Sequence, residues 1–390
     1  MLYRQFKDKK LSWLGYGAMR MPVTAERGPI DEEKARALIE YAYENGVNYF
    51  DTAYRYHDGA SEPFVGSVLS QYPRDSWYLA SKFPGHMMQY ENGKIVGAGY
   101  LTNETITSVE SIFEDQLKRC AVDYFDFYMI HNICETSFNF YTNEEVAVVK
   151  YFKEQQKAGR IKHLGVSAHG RAETIDKFLK HYPNTFEFGM IQLNYLDWTL
   201  QDADKKYEAL TKHGLAVMSM ESIRGGALVK LKDEAEALLK AARPNDSIAS
   251  WAFRFLQSLP ELVVATSGMT TMEQLKENIA IFSQNDPTTK IEQEILRRVV
   301  DKLGDVTPCT TCGYCLEACP IGLDIPKLIS IADELKFGHD AFVTKYFTLR
   351  AMKEEELPAA CTACGACNPL CPQGIDIPAA LKQFAEAIKE

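Results

Sequence analysis

The sequence has no long apolar run, no excess of basic charge and, outside two short stretches, almost no cysteine. No stretch approaches the roughly 18 apolar residues of a membrane span, and the first ten residues lack the apolar core of an export signal. Acidic residues outnumber basic ones by 53 to 43, so the net charge is −10, which argues against a nucleic-acid partner. We therefore expect a protein of the cytoplasm that binds neither membranes nor nucleic acids.

Eight of the ten cysteines lie in two runs, and both runs have the spacing C-x2-C-x2-C-x3-C-P. This spacing is typical of two-cluster iron–sulfur proteins, in which the fourth cysteine of each run ligates the other cluster. We therefore predict two 4Fe–4S clusters. The predicted ligands are Cys309, Cys312, Cys315 and Cys371 for the first cluster, and Cys361, Cys364, Cys367 and Cys319 for the second.

Zinc and disulfides are the alternative interpretations of these cysteines. A structural zinc site usually takes two C-x2-C pairs, so the third cysteine of each run would be left over. Disulfides are rare in proteins that stay in a reducing compartment. The two cysteines outside the runs, Cys120 and Cys134, are predicted to be packing residues.

The two cysteine runs are part of a longer repeat. The sequence GLDIP at 322–326 returns as GIDIP at 374–378, and a helical pattern follows each copy. Aspartate near the cap with proline in the first turn marks a helix start. Residues 296–390 are therefore predicted to form a small α-helical ferredoxin-like domain, with a helical stretch between the cluster loops over 326–350.

The preceding residues alternate short apolar runs with amphipathic helical patterns. No Gly-x-Gly-x-x-Gly follows the first run, which argues against an open dinucleotide-binding sheet. Eight near-continuous apolar strands, each followed by a helix, instead predict a parallel (β/α)8 TIM barrel over residues 1–295. The long connections 83–100, 132–142 and 221–244 are its predicted substrate walls. The predicted strands are 13–19, 47–53, 77–82, 125–131, 163–167, 188–194, 216–220 and 262–266.

Four polar residues fall at or just after predicted strand ends: Asp51, Tyr56, Lys82 and His131. Since the carboxyl ends of barrel strands face one site, these side chains are expected to meet. A lysine ammonium beside a tyrosine favours the phenolate and is expected to lower a pKa that starts near 10. Aspartate would hold the lysine, and histidine would orient a carbonyl oxygen. The set predicts carbonyl reduction.

Several motifs resemble those of the aldo-keto reductase family. They are DTAYRY at 51–56, GASE at 59–62, SK at 81–82, DYFDFYMIH at 123–131 and KHLGVS at 162–167. The resemblance covers roughly residues 8–285, and with the cysteine runs the chain resembles the iron–sulfur branch of that family. It implies that Tyr56 is the general acid/base, that Lys82 and Asp51 tune it, and that His131 orients the carbonyl.

The same resemblance implies a nicotinamide cofactor bound without a Rossmann domain. Ser167 and Gln192 match the residues that hold the carboxamide, whereas the usual asparagine is replaced by Ala168. Met220 occupies the position of the aromatic ring that normally stacks on the nicotinamide.

Further resemblances assign the pyrophosphate and adenosine ends of the cofactor. Many relatives carry an arginine for a 2′-phosphate where this chain has a glutamine, and a neutral amide cannot replace a guanidinium on a dianion. NADP and NAD are therefore both open. The implied contact residues are Arg224, Gly225, Ser267, Gly268, Gln274, Glu277 and Asn278.

The function predicted from these features is a nicotinamide-dependent oxidoreductase that interconverts a carbonyl and an alcohol, with an appended two-cluster module. Hydride carries two electrons whereas each cluster passes one, so electron exchange between them needs a mediator such as a flavin, for which the sequence shows no motif. The clusters are predicted to serve a redox partner protein; structural or sensing roles are alternatives. Two other functions stay open: an electron-transfer or sensor protein with a non-reductase barrel, and an elimination or isomerisation without net redox change.

Overall fold

A closed barrel of eight parallel strands holds the predicted apolar runs. The structure is a computed structural model that describes residues 1–25, 28–97, 107–135, 137–303, 307, 309, 314–337, 352–371 and 374–389. Each predicted run overlaps one barrel strand, so the TIM-barrel prediction is confirmed. The barrel strands are β3 (Leu14–Gly17), β4 (Tyr49–Asp51), β5 (Tyr78–Phe83), β8 (Phe125–Ile133), β9 (Ile161–Ala168), β10 (Phe188–Gln192), β11 (Ala216–Met220) and β12 (Leu262–Ser267).

Two antiparallel hairpins accompany the barrel. Strands β1 (Tyr3–Phe6) and β2 (Lys9–Ser12) pair with each other, and Phe6 joins the barrel's apolar interior. Strands β6 (Met88–Glu91) and β7 (Lys94–Gly97) pair within the predicted substrate wall 83–100. That wall was expected to be a loop, and the structure shows that much of it is a hairpin.

The chain divides into two compact units. The first comprises Met1–Leu193, Asp204–Ser222 and Phe253–Pro287, and it contains every barrel strand. The second comprises Asn194–Ala203, Ile223–Ala252 and Thr288–Glu390. The connections after β10 and β11 therefore belong to the same unit as the C-terminal residues.

Aromatic rings fill the interior of the first unit. The Phe127 ring lies 5.2 Å from Tyr49, 5.3 Å from Phe188 and 5.5 Å from Phe6, measured between centroids. Such pairs contribute about 0.5–1.5 kcal/mol each beyond the area they bury. Strand β8 carries Phe127, so this packing fixes the strand that also carries His131.

Helix starts follow recognisable capping chemistry. Asp31 accepts a hydrogen bond from the Lys34 amide, while Ser108 and Thr271 each form a capping box. The helices are α1 (Glu32–Glu44), α2 (Ser61–Leu69), α3 (Val109–Cys120), α4 (Phe138–Tyr141), α5 (Val148–Lys157), α6 (Ala172–His181), α7 (Asp197–Leu200), α8 (Ala203–Lys212), α9 (Asp233–Ala242), α10 (Ile248–Gln257), α11 (Met272–Ile281), α12 (Lys290–Leu303), α13 (Tyr314–Ala318), α14 (Ile325–Phe337) and α15 (Ile377–Ala387).

The repeated GxDIP sequences begin the two longer helices of the ferredoxin-like part. Asp324 accepts a hydrogen bond from the Lys327 amide at the start of α14, and Asp376 does the same for the Ala379 amide at α15. Both helices bury aliphatic residues, including Leu328 and Leu381, in one apolar cluster. Residues 338–350 of the predicted helical stretch lie outside the described residues.

Helix α12 runs without interruption through the predicted domain boundary between residues 295 and 296. Arg243 of α9's C-terminal end donates to Glu292 of α12 at 2.5 Å within the second unit. The boundary itself stays a prediction. Among the described helices, none is long and apolar enough to cross a membrane.

Candidate active site

Strand ends of the barrel carry three of the four predicted catalytic residues. Asp51 is the last residue of β4, Lys82 is the last but one of β5, and His131 lies two residues before the end of β8. Tyr56 follows β4 in a short 3-10 turn. Because parallel strands end at one face of a barrel, the sequence positions alone bring these residues to the same face.

The Lys82 ammonium joins Asp51 to Tyr56. Its Nζ donates to Asp51 Oδ1 at 2.5 Å, to the Thr52 carbonyl at 2.9 Å and to the Tyr56 hydroxyl at 3.3 Å. Lys82 is 1% exposed, so these three acceptors replace water around its charge. The structure thus brings Asp51, Lys82 and Tyr56 together as predicted.

Burial and charge act in opposite directions on this group. Burial disfavours the charged lysine, but Asp51 and Tyr56 outweigh it and raise the pKa of Lys82. Burial also raises the pKa of Tyr56 above 10, and Lys82 offsets the rise only in part. The sequence had led us to expect a lowered tyrosine pKa. That expectation is wrong for the protein alone, because the burial of Tyr56 is not visible in the sequence.

Replacing Lys82 by methionine should destabilise the protein by about 3–5 kcal/mol, because Asp51 would remain buried without its partner. The double variant Lys82→Met/Asp51→Asn should recover most of this loss, since no buried charge is left. Urea unfolding of the wild type and the two variants measures both effects. Equal stability of the single and double variants would contradict a buried ion pair.

Three imidazoles lie at the same end of the barrel. The rings of His86 and His131 contact edge to face, with centroids 4.5 Å apart. Burial, together with His86 and Lys82, lowers the pKa of His131 well below 6.5. Burial and Lys206 lower the pKa of His169 to about 4. His131 is therefore neutral at pH 7 and can donate a hydrogen bond to a carbonyl oxygen without carrying a charge.

Tyr141 fixes the main chain beside these rings. Its hydroxyl donates to the His131 carbonyl at 2.5 Å and accepts from the His86 amide at 2.9 Å. A side chain at Gly85 would meet the Tyr141 ring at 2.5 Å, so only glycine allows this close approach. The sequence places His86 and Tyr141 in the predicted rim loops but assigns neither a role, because neither stands at a motif position.

A buried polar network supports the strand that carries Lys82. Glu62 Oε1 accepts hydrogen bonds from Ser81 and Gln116, both at 2.6 Å, and Arg119 Nε lies 3.2 Å from Glu62 Oε2. Gln116 also donates to the Lys82 carbonyl at 3.2 Å. Ser81 and Glu62 both occur in the motifs quoted for the family resemblance, but Gln116 carried no recognisable signal.

The predicted nicotinamide contacts are at the ends of neighbouring strands. Ser167 on β9 is fully buried, and its Oγ has no hydrogen-bond partner among the described residues. Gln192 ends β10 and Met220 ends β11, where these two residues pair in register. A buried hydroxyl without a partner on β9 and an amide at the end of the adjacent strand β10 suit the carboxamide of a nicotinamide, so these residues fit that group.

The predicted adenosine contacts surround the start of α11. Asn278 donates to Ser267 Oγ at 3.2 Å, and Gly268 lies against the Arg20 side chain. Gln274 caps the helix, because its Oε1 accepts from the amides of Thr270 at 2.8 Å and Thr271 at 3.2 Å. Glu277 is half-buried on the same helix.

Arg224 and Gly225 belong to the second unit, in a turn with left-handed backbone at both residues. Arg224 Nε lies 3.3 Å from Asp197 Oδ1, and the Asp197 side chain is fully buried. The arginine is therefore held by a carboxylate within that unit.

The second predicted set of cluster ligands surrounds one cavity. Cys319, Cys361, Cys364 and Cys367 all line a space of about 310 Å³, which includes its opening to solvent. Burial raises the pKa of the Cys367 thiol, and the other three thiols add to the shift. Four thiols around one cavity fit a 4Fe–4S cluster.

The first predicted set is described in part. Cys309, Cys315 and Cys371 all pack in the apolar cluster of the ferredoxin-like helices, whereas Cys312 lies outside the described residues. None of the described cysteines forms a disulfide. Within the described chain, no three histidine, cysteine or acidic side chains are placed to hold a single metal ion.

A TIM barrel with a lysine-linked tyrosine at its strand ends, followed by a cysteine-rich helical part, defines a class of redox enzymes. Residues 13–295 match the model of the aldo/keto reductase family, and residues 305–375 match a 4Fe-4S dicluster domain. The chain belongs to the aldo/keto reductase family, and it is an oxidoreductase with an iron–sulfur domain.

Individual relatives cover most of the chain at modest identity. "Probable aldo-keto reductase 1" of Glycine max is 26% identical over 76% of this chain and 87% of its own length. The NADH-specific methylglyoxal reductase of Escherichia coli is 27% identical over 71% of this chain and 92% of its own. The holo form of aldo-keto reductase AKR11C1 from Bacillus halodurans superposes with a TM-score of 0.60 at 24% identity, covering 77% of this chain and 96% of its own. This last likeness supports the fold.

Proposed function

We propose that the protein uses NADH or NADPH to interconvert a small carbonyl compound and its alcohol, with Tyr56 as the general acid/base. This proposal rests on the hydrogen bonds that link Asp51, Lys82 and Tyr56, with distances of 2.5 and 3.3 Å from Lys82 Nζ. Asp51 and Lys82 are buried, and Tyr56 is half-buried. One of the three acceptors of Lys82 is thus a hydroxyl that can itself give up a proton.

The proton is moved by Tyr56. A reduced nicotinamide, when bound, would supply the hydride for this reduction. The Tyr56 hydroxyl gives its proton to the carbonyl oxygen, so that the alcohol leaves and a phenolate remains. Lys82 stabilises that phenolate, and Asp51 keeps Lys82 charged and in place. Solvent then returns a proton to the Tyr56 phenolate.

His131 orients the substrate in this proposal. Its neutral imidazole donates to the carbonyl oxygen and places the oxygen near the Tyr56 hydroxyl. Tyr141 supports this role because it fixes the His131 main chain.

The cofactor would be held by Ser167, Gln192 and Met220 at the nicotinamide, by Arg224 and Gly225 at the pyrophosphate, and by the adenosine contacts Ser267, Gly268, Gln274, Glu277 and Asn278. Because Gln274 is neutral and its Oε1 is engaged in the helix cap, it offers no charge for a 2′-phosphate. The NADH-specific relative in Escherichia coli supports NADH as a working cofactor.

The C-terminal domain would carry two 4Fe–4S clusters and pass electrons to a redox partner protein. Cys319, Cys361, Cys364 and Cys367 support the second cluster, since they line one cavity. The thiolate ligands need a reducing compartment, for which we propose the cytoplasm. A flavin would be required if electrons pass between nicotinamide and clusters.

Ala168 favours a second candidate function. This position lacks the amide expected at the carboxamide, so the barrel of an electron-transfer or redox-sensing protein would also fit. Elimination or isomerisation with the same four residues is the third candidate. Products without net redox change would distinguish it.

The proposal is tested on the anaerobically purified protein. Oxidation of NADH or NADPH at 340 nm should require an added aldehyde, and a stopped-flow record of cluster absorbance should show whether the clusters accept these electrons. Absence of aldehyde-dependent oxidation with both cofactors would contradict the proposed function.

The pH dependence of reduction should be flat between about pH 6 and 9. Tyr56 must be protonated to donate, and burial raises its pKa above 10, so the acid form persists throughout this range. His131 is neutral throughout, since burial holds its pKa well below 6.5. Measurement of kcat/KM across the range checks this. An inflection near pH 6.5 would show that His131 titrates in its usual range.

A further inference from the structure

The segment that carries Tyr56 has an unusual main chain. Tyr56 is followed by three residues in the left-handed region, with φ of 52° at His57, 53° at Asp58 and 91° at Gly59. Two of these residues are not glycine, and such residues rarely adopt this conformation because the side chain approaches the following carbonyl oxygen. Contacts with the rest of the protein must therefore hold the turn in place.

Arg119 of α3 provides contacts of this kind. Its Nη2 donates hydrogen bonds to the carbonyl of Tyr54, at 3.1 Å, and to the carbonyl of Gly59. One guanidinium thus ties together two main-chain positions, one on each side of Tyr56. We call these two hydrogen bonds the Arg119 clamp.

Glu62 connects the Arg119 clamp to the strand that carries Lys82. Nε of Arg119 lies 3.2 Å from Oε2 of Glu62, and the Glu62 side chain is fully buried. Oε1 of Glu62 accepts a hydrogen bond from Gln116 at 2.6 Å, and Gln116 in turn donates to the Lys82 carbonyl at 3.2 Å. The main chains of Lys82 and Tyr56 are therefore supported by the same buried network.

The position of the Tyr56 hydroxyl depends on this support. Lys82 Nζ donates to that hydroxyl at 3.3 Å, which is longer than the roughly 2.7–3.2 Å of most such hydrogen bonds. A long hydrogen bond restrains the hydroxyl only weakly, so the main chain on either side of the ring sets its place. A displacement of about 1 Å in a reacting group can lower a rate by about 10²-fold.

We propose that Arg119 is a positioning residue for the general acid, because its clamp holds the left-handed turn and so places the Tyr56 hydroxyl beside Lys82. This inference rests on the proposed function. Arg119 acts only through Tyr56. Its loss should therefore lower kcat and leave the dissociation constant of the cofactor unchanged.

Arg119→Lys separates the charge from the clamp. The ammonium of lysine ends one bond short of the position of Nη2, so it remains beside Glu62 and Asp115 but cannot reach both carbonyls. We expect kcat for glyceraldehyde reduction at saturating cofactor to fall by about ten- to a hundredfold. Arg160→Lys is the matched control, because Arg160 donates to the exposed Glu114 of the same helix and should leave kcat unchanged.

A double-mutant cycle with Tyr56→Phe shows whether Arg119 acts through Tyr56. The cycle compares kcat of the wild type, the two single variants and Arg119→Lys/Tyr56→Phe. The double variant should match Tyr56→Phe alone, since a ring without a hydroxyl loses nothing more when it is misplaced. A residue that only maintained the fold would lower kcat by the same factor in both backgrounds.

A second variant removes the clamp without leaving a buried charge. Arg119→Met alone would leave the Glu62 carboxylate unpaired, so it is combined with Glu62→Gln. The amide oxygen of the glutamine can still accept from Ser81 and Gln116. The kcat of Arg119→Met/Glu62→Gln should fall at least as far as that of Arg119→Lys, and urea unfolding shows that each variant is folded at the temperature of the assay.

The outcomes are distinct. A loss of kcat from Arg119→Lys that disappears in the Tyr56→Phe background supports the inference. Unchanged kcat in both Arg119 variants, equal losses in both backgrounds, or a loss confined to cofactor affinity overturns it and leaves the proposed function intact. A wild type that reduces no aldehyde with NADH or NADPH, or a Tyr56→Phe variant as fast as the wild type, overturns the proposed function and this inference together.

Discussion

Tyr56→Phe should lower kcat for aldehyde reduction by a factor of about 10²–10⁴, the usual contribution of a positioned general acid. The phenyl ring keeps the shape of the site but removes the proton that would pass to the carbonyl oxygen. Lys82 Nζ would still donate to Asp51 and to the Thr52 carbonyl, so the fold should survive. Steady-state rates with saturating cofactor measure the effect. The dissociation constant of the cofactor should change little, because Tyr56 acts on the substrate.

Tyr54→Phe is the matched control for this experiment. Tyr54 lies two residues earlier in the same segment, but its hydroxyl donates to Asp115 at 3.0 Å on helix α3. The two variants remove the same atom from neighbouring tyrosines. If Tyr54→Phe and Tyr56→Phe reduce kcat equally, the loss reflects disturbance of the segment, and Tyr56 is not the acid.

Cys319→Ser should remove one of the two clusters and leave the other. Cys319 belongs to the first cysteine run, yet it lines one cavity with Cys361, Cys364 and Cys367 of the second. The variant should therefore lose the cluster of the second run, so that its iron content falls from about eight atoms per chain to about four. Iron analysis and electron paramagnetic resonance of the reduced protein measure the content and identify the remaining signal.

Comparison with other cysteines makes this result specific. Cys361→Ser should lose the same signal as Cys319→Ser, whereas Cys309→Ser should lose the other one. Cys134→Ser is the control, because Cys134 lies outside both runs and should leave the iron content unchanged. If Cys319→Ser and Cys309→Ser lose the same signal, each run holds its own cluster and the exchange of the fourth cysteine is wrong.

Much of the fold could be predicted because its signals are local. The eight apolar runs, the cysteine spacing and the two GxDIP helix starts are all patterns of residues that are close together in the sequence. Such patterns can be recognised without knowledge of the tertiary structure. The strand ends then brought Asp51 and Lys82 together, since the barrel architecture determines where those ends lie.

The remaining features depend on contacts between distant segments. The pKa of Tyr56 rises because folding removes much of the water around its side chain, and no residue near Tyr56 in the sequence indicates this. From the sequence, Gln274 is recognised only as the residue that stands where relatives have an arginine. The structure shows that its side chain caps α11. The His86 amide donates a hydrogen bond to the hydroxyl of Tyr141, which is 55 residues away in the sequence. Each of these required the tertiary structure.

Hydride transfer is the central claim, and isotope labelling tests it most directly. The purified protein would be given nicotinamide cofactor deuterated at the transferable position together with glyceraldehyde, and the alcohol product analysed by NMR. Direct transfer with Tyr56 as the acid predicts deuterium on the carbinol carbon of the product. Product without deuterium would contradict the account, since the hydride would then have passed through a carrier that exchanges with solvent.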